Sequence, residues 1–378
     1  MNVVDVTQWY APKSGGIRTY LHAKAAYAQA QGLRHAMVVP GTTAKVDRVA
    51  RTPIVVVPGL PTAQETGYRL IPHPRPIMQA LDRLQPTVLV VHDATAFPRR
   101  LCRWAHTRGI PVVLIVHSEI ESGAAGMPTP LRLPTQHVLR ILQSRGLDGP
   151  DAVIATSQAV ATRLRERSDA HIYVSPLGVD TEVFHPRAPE ADYRRQFAEP
   201  NETLLVHAGR LSSEKRPTLL IDVLAGLQGD CVLAIAGAGS AEPEMRRRAA
   251  ELGVTKRVRF LGHLESRSDL ARLYANADCF VHVNAGETFG LAPLEAAACG
   301  CRVVLPADCG VAEVVSLDGF HTVEPNSVSA LVSGVSHALT QPAPVPELDQ
   351  LSWSRTFDRE WALYGLLAGR AAEGMHAA

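Results

Sequence analysis

Glu287 and Glu295 stand eight residues apart in the stretch Ala285-Gly286-Glu287-Thr288-Phe289-Gly290-Leu291-Ala292-Pro293-Leu294-Glu295. Two carboxylates at such a spacing can act as a hydrolase pair, accept hydrogen bonds from a diol, or be ordinary loop and helix-start acids. Pro293 is preorganised for a first helical position and Gly300 suits the residue after a helix end. They predict a short helix over 293–299, with Glu295 in its first turn. The apolar run 277–284 before it reads as a buried strand, which puts Glu287 in a strand-to-helix loop. A helix start offers unpaired amides and about half a positive charge, which suits a phosphate. Amides of Phe289, Gly290 and Leu291 meeting phosphate or sugar oxygens, with a carboxylate accepting from a vicinal diol, would fit a nucleotide sugar. The plainer alternative is that Glu295 complements the helix dipole and Glu287 is solvated.

Cations suited to a phosphate occur upstream. Ala208-Gly209-Arg210-Leu211-Ser212-Ser213-Glu214-Lys215-Arg216-Pro217 follows a strand-like run. In it Arg210 can fork two oxygens and Lys215 can supply a mobile point charge. Gly237-Ala238-Gly239-Ser240 is a further glycine turn after a strand, and Gly262-His263-Leu264 follows another, where Gly262 and Leu264 could present backbone groups to a base. Near the start, Lys13-Ser14-Gly15-Gly16-Ile17 could let backbone approach a phosphate, although it is not a G-x-G-x-x-G fingerprint and a plain turn explains it equally well. His117, with Ser118 and Glu119, closes the run Val112 to Val116; His92-Asp93, closing Val88 to Val91, is its rival as a polar strand-end group. In the segment 128–146, Val138, Ile141 and Leu142 share a helical face while Arg132, Arg140 and Arg145 supply charge, which suits an acceptor- or membrane-facing helix or a packed helix with solvated arginines.

The elements that must position these groups recur at α/β spacing. Strands are predicted at 2–7, 35–40, 54–57, 87–91, 111–116 and 152–156, with helices over 18–31 and 98–108. A second block has strands at 203–207, 231–236, 258–261, 277–284, 302–305 and 321–323. Continuous rather than alternating apolar strands predict parallel sheets covered on both faces, with ligands beyond the carboxyl ends. The Pro- and charge-rich 181–201 reads as a linker, and 353–367 as a terminal helix.

Composition limits the function classes. The 378 residues suggest two domains, and 46% hydrophobic with 20% charged residues is globular. No signal peptide and no membrane-length apolar run is visible, so a cytoplasmic protein is expected. Residues 1–176 hold 20 Lys/Arg against 11 Asp/Glu (+9) and the remainder 18 against 26 (−8). The basic half suits an anionic partner such as a membrane surface or a phosphorylated acceptor, or docking onto the acidic half. Cys299, Cys301 and Cys309 lack paired C-x-x-C spacing, so buried thiols are expected rather than a metal site.

In order and spacing these residues resemble the retaining glycosyltransferases of family 4. The resemblance spans Gly15-Gly16, His117, the hinge-like 176–184, Gly209-Arg210 with Glu214-Lys215, and the Glu287 to Glu295 motif. It implies the GT-B fold, an α/β architecture of two Rossmann-like domains facing across a cleft. Residues 1–178 would form the acceptor-binding domain, with a terminal helix of about 353–370 packing back on it. Residues 179–352 would hold the linker and the nucleotide-sugar domain. The resemblance assigns Arg210 and Lys215 to the diphosphate, Glu295 to the ribose hydroxyls, Glu287 to the transferred sugar and His117 to its C6 hydroxyl, with Gly15 and Gly16 approaching the donor. His117 departs from the family pattern in being followed by Ser118 where Asp is frequent.

Tyr10 to Arg18 and Gly67-Tyr68-Arg69 are similar to actinobacterial glycolipid and phosphatidylinositol mannosyltransferases. The expected donor is therefore GDP-mannose and the acceptor a glycolipid or other cell-envelope hydroxyl, with peripheral association at the inner membrane face through the basic domain. A UDP-sugar transferase acting on a small molecule, or a nucleotide-sugar 2-epimerase, is the alternative. No Asp-x-Asp motif stands out, so metal-independent activity without a cofactor is expected, and no nucleic-acid partner.

Overall fold

The computed structural model describes residues 1–11, 15–62, 67–92, 97–117, 133, 135, 137–138, 141, 144–313 and 320–376. Lys13, Ser14, Asp93, Ser118, Glu119 and most of the segment 128–146 therefore lie outside the described residues. The chain divides into two compact units, Met1–Leu177 with Trp353–Ala378, and Gly178–Ser352.

In the first unit the described residues form an eight-stranded sheet. Its strands are β1 (Asn2–Thr7), β2 (Arg34–Gly41), β3 (Lys45–Val49), β4 (Thr52–Pro58), β7 (Val88–His92), β8 (Val112–Val116), β9 (Ala152–Ala155) and β10 (Ile172–Val174); β5 (Leu60–Pro61) and β6 (Arg69–Leu70) make a separate two-stranded ladder. The order is β10-β9-β8-β7-β1-β2-β4-β3, parallel except for the antiparallel β3–β4 edge. Runs such as Val88 to Val91 and Val112 to Val116 are buried throughout, as strands covered on both faces must be.

Because side chains alternate, the two faces differ. Val4, Val6, Leu89, Val91, Leu114 and Val116 join one apolar cluster under the Arg75–Leu84, Pro98–His106 and Gln158–Arg165 helices. The opposite face carries Asp5, His35 and His92, and meets the Gly16–Ala30 and Trp353–His376 helices. The terminal helix buries Trp353, Thr356, Phe357, Glu360, Trp361, Tyr364 and Leu367, a stripe at helical spacing that includes a carboxylate. It runs beyond the expected end near 370 because Arg370 to Glu373 contains no breaking residue.

The second unit has β11 (Thr203–Ala208), β12 (Cys231–Ala236), β13 (Val258–Gly262), β14 (Cys279–Val281), β15 (Arg302–Pro306) and β16 (Phe320–Val323), all parallel, in the order β13-β12-β11-β14-β15-β16. The stretch expected to be a linker is packed against this unit. Phe184 is fully buried, and Arg194 donates to the carbonyls of Asn276 (2.7 Å) and Glu202 (2.8 Å) and to the Asp278 carboxylate (2.6 Å). Each main sheet reverses its strand order once, between β1 and β7 and between β11 and β14. A crevice at the carboxyl ends of the strands on either side of such a reversal is where open α/β sheets bind ligands.

Candidate active site

At the β11/β14 reversal, backbone close approach shapes the first loop. Gly209 follows β11, and its amide donates to the Ala236 carbonyl at 3.0 Å, while the Leu211 amide donates to Ala238 at 3.1 Å. A Cβ on Gly237 would stand 1.9 Å from the Gly209 carbonyl oxygen, and one on Gly239 would stand 2.3 Å from that of Leu211. The Gly237-to-Ser240 turn is thus a support that lets the Arg210 backbone pass. Arg210 itself is exposed and has no ion-pair partner among the described residues. A single 3-10 turn, Ser213–Lys215, then carries Lys215.

Lys215 Nζ meets Glu287 Oε2 at 2.6 Å, the two side chains being 34% and 21% exposed. Glu287 lies in the loop after β14, which ends at Val281 rather than at 284. Its last expected residues leave the ladder to serve the carboxylate. Asn284 Nδ2 donates to Glu287 Oε2, and His282 Nε2 stands 4.0 Å from the same oxygen. Burial alone would raise the Glu287 pKa, but the Lys215 charge, His282 and the two hydrogen bonds outweigh it and hold the carboxyl below its ordinary value. Burial pushes His282 down to about 4, so it is neutral at pH 7. The amide of Gly310 donates to the Glu287 carbonyl (2.9 Å) and that of Val311 to Phe289 (2.8 Å), pinning the loop.

The helix after this loop is Leu291–Ala298, two residues earlier than Pro293 predicts. Gly290, at φ +100°, makes the entry; Pro293 occupies the third helical position, where its missing N–H is still unneeded. Gly300, at φ +80°, ends the helix. Glu295 is consequently the fifth helical residue, not a first-turn acid, and the dipole explanation of it is lost. The Phe289 side chain is buried. The amides of Gly290, Leu291 and Ala292 stand at the helix start, where no preceding turn accepts them.

Glu295 is 8% exposed, with Arg267 Nη2 3.2 Å from its Oε1. Burial lifts its pKa to about 7 despite Arg267, and nearby Asp180 adds to the rise. Arg267 lies 28 residues upstream and packs over the Phe184 ring at 4.9 Å. Sequence reading overlooked Arg267, His282 and Asn284. The last two carried a usable signal, being polar side chains at the end of an apolar run. Gly262 and Leu264 are at the carboxyl end of β13, an edge strand two positions from β11; the Gly262 carbonyl accepts from Gly237 at 2.7 Å.

In the other unit Gly15 is the N-cap of the Gly16–Ala30 helix after β1, and both glycines are exposed. His117 follows β8. His92, treated as its rival, is its partner: His92 Nδ1 and His117 Nε2 are 2.8 Å apart and the rings stack at 5.1 Å. Burial, with His92 and Lys24 nearby, holds His117 well below its ordinary pKa.

All six cysteines are buried free thiols, with burial raising Cys299 to about 12 and Cys301 well above its ordinary value. Among the described residues no three His, Cys, Asp or Glu side chains gather as metal ligands, and no helix is long and apolar enough to cross a membrane.

Comparison with known proteins gives the family and the fold of the chain. Residues 14–183 match the family described as Glycosyltransferase Family 4, and residues 190–352 match Glycosyl transferases group 1. The GDP-mannose-dependent alpha-(1-6)-phosphatidylinositol dimannoside mannosyltransferase of Mycobacterium tuberculosis is 32% identical over 348 residues, covering 90% of this chain and 88% of the relative. The D-inositol 3-phosphate glycosyltransferase of Mycobacterium ulcerans is 29% identical over 75% of this chain and 62% of the relative. Among solved structures, sucrose-phosphate synthase from Thermosynechococcus elongatus superposes with a TM-score of 0.71 over the whole of both chains at 19% identity, a likeness of fold.

Proposed function

The chain belongs to the family-4 glycosyltransferases, with the GT-B fold, and from that premise we propose that it moves mannose from GDP-mannose to a glycolipid hydroxyl with retention at the anomeric carbon. The observation that carries the assignment of roles is the meeting of Lys215 with Glu287 at the β11/β14 reversal. In this reading the bond from the sugar C1 to the GDP phosphate oxygen breaks as the acceptor oxygen bonds to C1 on the same face. The acceptor proton passes to the leaving phosphate.

Charge growing on the diphosphate is met by Arg210, Lys215 and the amides at the start of the Leu291–Ala298 helix, a role for fixed donors and cations that needs no resident metal. Lys215 exchanges one anion for another as the donor enters. Glu287 holds the mannose hydroxyls, Asn284 orients Glu287, and Glu295 accepts from the ribose diol with Arg267 behind it. His117, Gly15 and Gly16 keep the donor roles that the family resemblance implies for them. GDP-mannose and the glycolipid acceptor are supported by the activity for which the 32%-identical relative is named. Peripheral attachment to an anionic membrane surface on the cytoplasmic side follows in this reading from the basic first half.

The test is a panel of GDP- and UDP-sugars incubated with phosphatidylinositol mannosides, cell-envelope lipid extracts and small-molecule acceptors, with and without EDTA, followed by anomeric analysis of the product. An α-mannoside formed from GDP-mannose in EDTA is expected. Transfer from a UDP-sugar alone, an inverted product, or an epimer formed without acceptor would each replace the reading.

A further inference from the structure

Three polar side chains of the second unit converge on one carboxylate oxygen, and the third arrives with no place to bond. Lys215 Nζ stands 2.6 Å from Glu287 Oε2, and Asn284 Nδ2 donates to the same atom. Two donors fill the two lone pairs of that oxygen. His282 Nε2 is 4.0 Å away, too far for a hydrogen bond. The ring is buried, and neither of its nitrogens has a hydrogen-bond partner among the described residues. The Asn284 backbone comes near enough to favour a charged ring without bonding to it.

A buried polar group left unpaired is costly. An apolar side chain would suit this position, since Cys279, Phe280, Val281 and Val283 around it are all buried. The neighbouring His207, whose ring stacks on that of His282 at 6.2 Å, shows the ordinary solution: its Nδ1 donates to the Val281 carbonyl at 2.9 Å. Burial keeps His282 neutral at pH 7, so one proton is shared between its two nitrogens. The ionised Glu287 repels a lone pair on Nε2 and attracts an N–H there, and no described partner on Nδ1 competes, so the proton belongs on Nε2. His282 thus points a donor at an acceptor that is already full.

The group that can leave is Lys215. It is 34% exposed and sits on the single Ser213–Lys215 turn, whereas Asn284 is buried and only three residues from Glu287 in the same loop. When an anion draws Lys215 away, Oε2 regains a lone pair, and His282 needs to move only about 1 Å to reach it.

We propose that His282 is a positioning residue, the reserve donor that bonds Glu287 Oε2 when Lys215 turns to an anion, so that Glu287 stays ionised and aimed while the cation is used elsewhere. That the anion is the diphosphate of the sugar donor rests on the transferase reading above; the exchange of Lys215 for His282 does not.

The exchange is tested without a ligand by a double-mutant cycle on the full chain, read by calorimetry on the Gly178–Ser352 transition. With Lys215 in place, His282→Leu removes an unpaired group and is expected to hold or raise the midpoint. In Lys215→Met, where His282 has taken the oxygen, the same substitution is expected to lower it. An equal shift in the two backgrounds, or a fall with Lys215 in place, would refute the exchange. A long-range proton–nitrogen spectrum of the wild-type chain labelled at histidine nitrogen tests the proton directly, with no variant that must fold beyond the one assigning His282. An Nε2–H pattern is expected, its proton moving downfield in Lys215→Met and on saturation with inorganic pyrophosphate; an Nδ1–H pattern would overturn the proposal. A shift in Lys215→Met with none in pyrophosphate would uphold the exchange and remove the diphosphate role of Lys215. In turnover, His282→Leu is expected to lower kcat by on the order of tenfold or more with the donor KM nearly unchanged, and His282→Gln, whose amide can donate, to recover most of it. A raised KM at unchanged kcat would place His282 before the exchange and refute the role.

Discussion

Replacing Glu295 by Gln should make the second unit more stable at alkaline pH while weakening donor binding. Burial lifts this carboxyl from an ordinary 4.5 to about 7. Between those values the folded state holds a proton that the unfolded chain has released, so stability falls as pH rises from about 4.5 through about 7 and stays reduced above it. A rise of roughly 2.5 pKa units at 1.36 kcal/mol each is on the order of 3 kcal/mol. Gln carries no charge to desolvate and its oxygen can still accept from Arg267. Glu295→Gln should therefore exceed wild type by on the order of 3 kcal/mol at pH 8, but by under about 1 kcal/mol at pH 5. The assay is calorimetric unfolding at the two pH values, read on the Gly178–Ser352 transition. Fluorescence would miss it, because all 4 tryptophans lie in the other unit. Donor binding should weaken by about ten- to a hundredfold, the loss expected when a charged acceptor is removed. Wild-type affinity for the donor should itself rise between pH 6 and pH 8 as Glu295 ionises. An equal stability difference at both pH values would refute the reasoning.

Lys215→Ala should lower turnover about a hundredfold, on the order of 3 kcal/mol of lost transition-state stabilisation; near-normal turnover in a quench assay would remove the diphosphate role. Gly237→Ala should cost at least about 2 kcal/mol in denaturant unfolding and also impair donor binding, since its Cβ would overlap the backbone that carries Arg210, at a φ of +154° that L residues rarely adopt. Asp5→Asn should destabilise the first unit by about 3 to 5 kcal/mol by leaving Lys24 buried against a neutral partner, visible by tryptophan fluorescence.

Much of the fold was legible because buried parallel strands are long runs of β-branched residues, and β1 and β12 begin and end where the apolar runs do. The pieces that escaped were those whose shape depends on a neighbour. β3, Lys-Val-Asp-Arg-Val, is exposed along most of its length and becomes a strand only by pairing with β4. The Leu291–Ala298 helix begins early because Gly290 can take a left-handed entry, a freedom that Pro293 conceals by being equally acceptable at the first or third position. Arg267 had no local signal at all, since its partner Glu295 is supplied by a different helix.

Asp5 did have a signal: a carboxylate inside Asn-Val-Val-Asp-Val-Thr needs a buried partner. What remained hidden was which strands would flank it, and so that His35 and His92 would converge on one oxygen pair. Two of the lysine–carboxylate pairs among the described residues differ in their surroundings. Lys24 and Asp5 have no solvent to exchange with, and opening them would strand a charge at a cost of several kcal/mol. Lys215 and Glu287 are partly exposed, so water can replace either partner, and an arriving anion can replace Glu287 beside Lys215, at a cost of about 1 kcal/mol or less. The same two residue types therefore give a fixed support in one unit and an exchangeable ligand contact in the other. It is burial, which sequence spacing does not report, that decides between them.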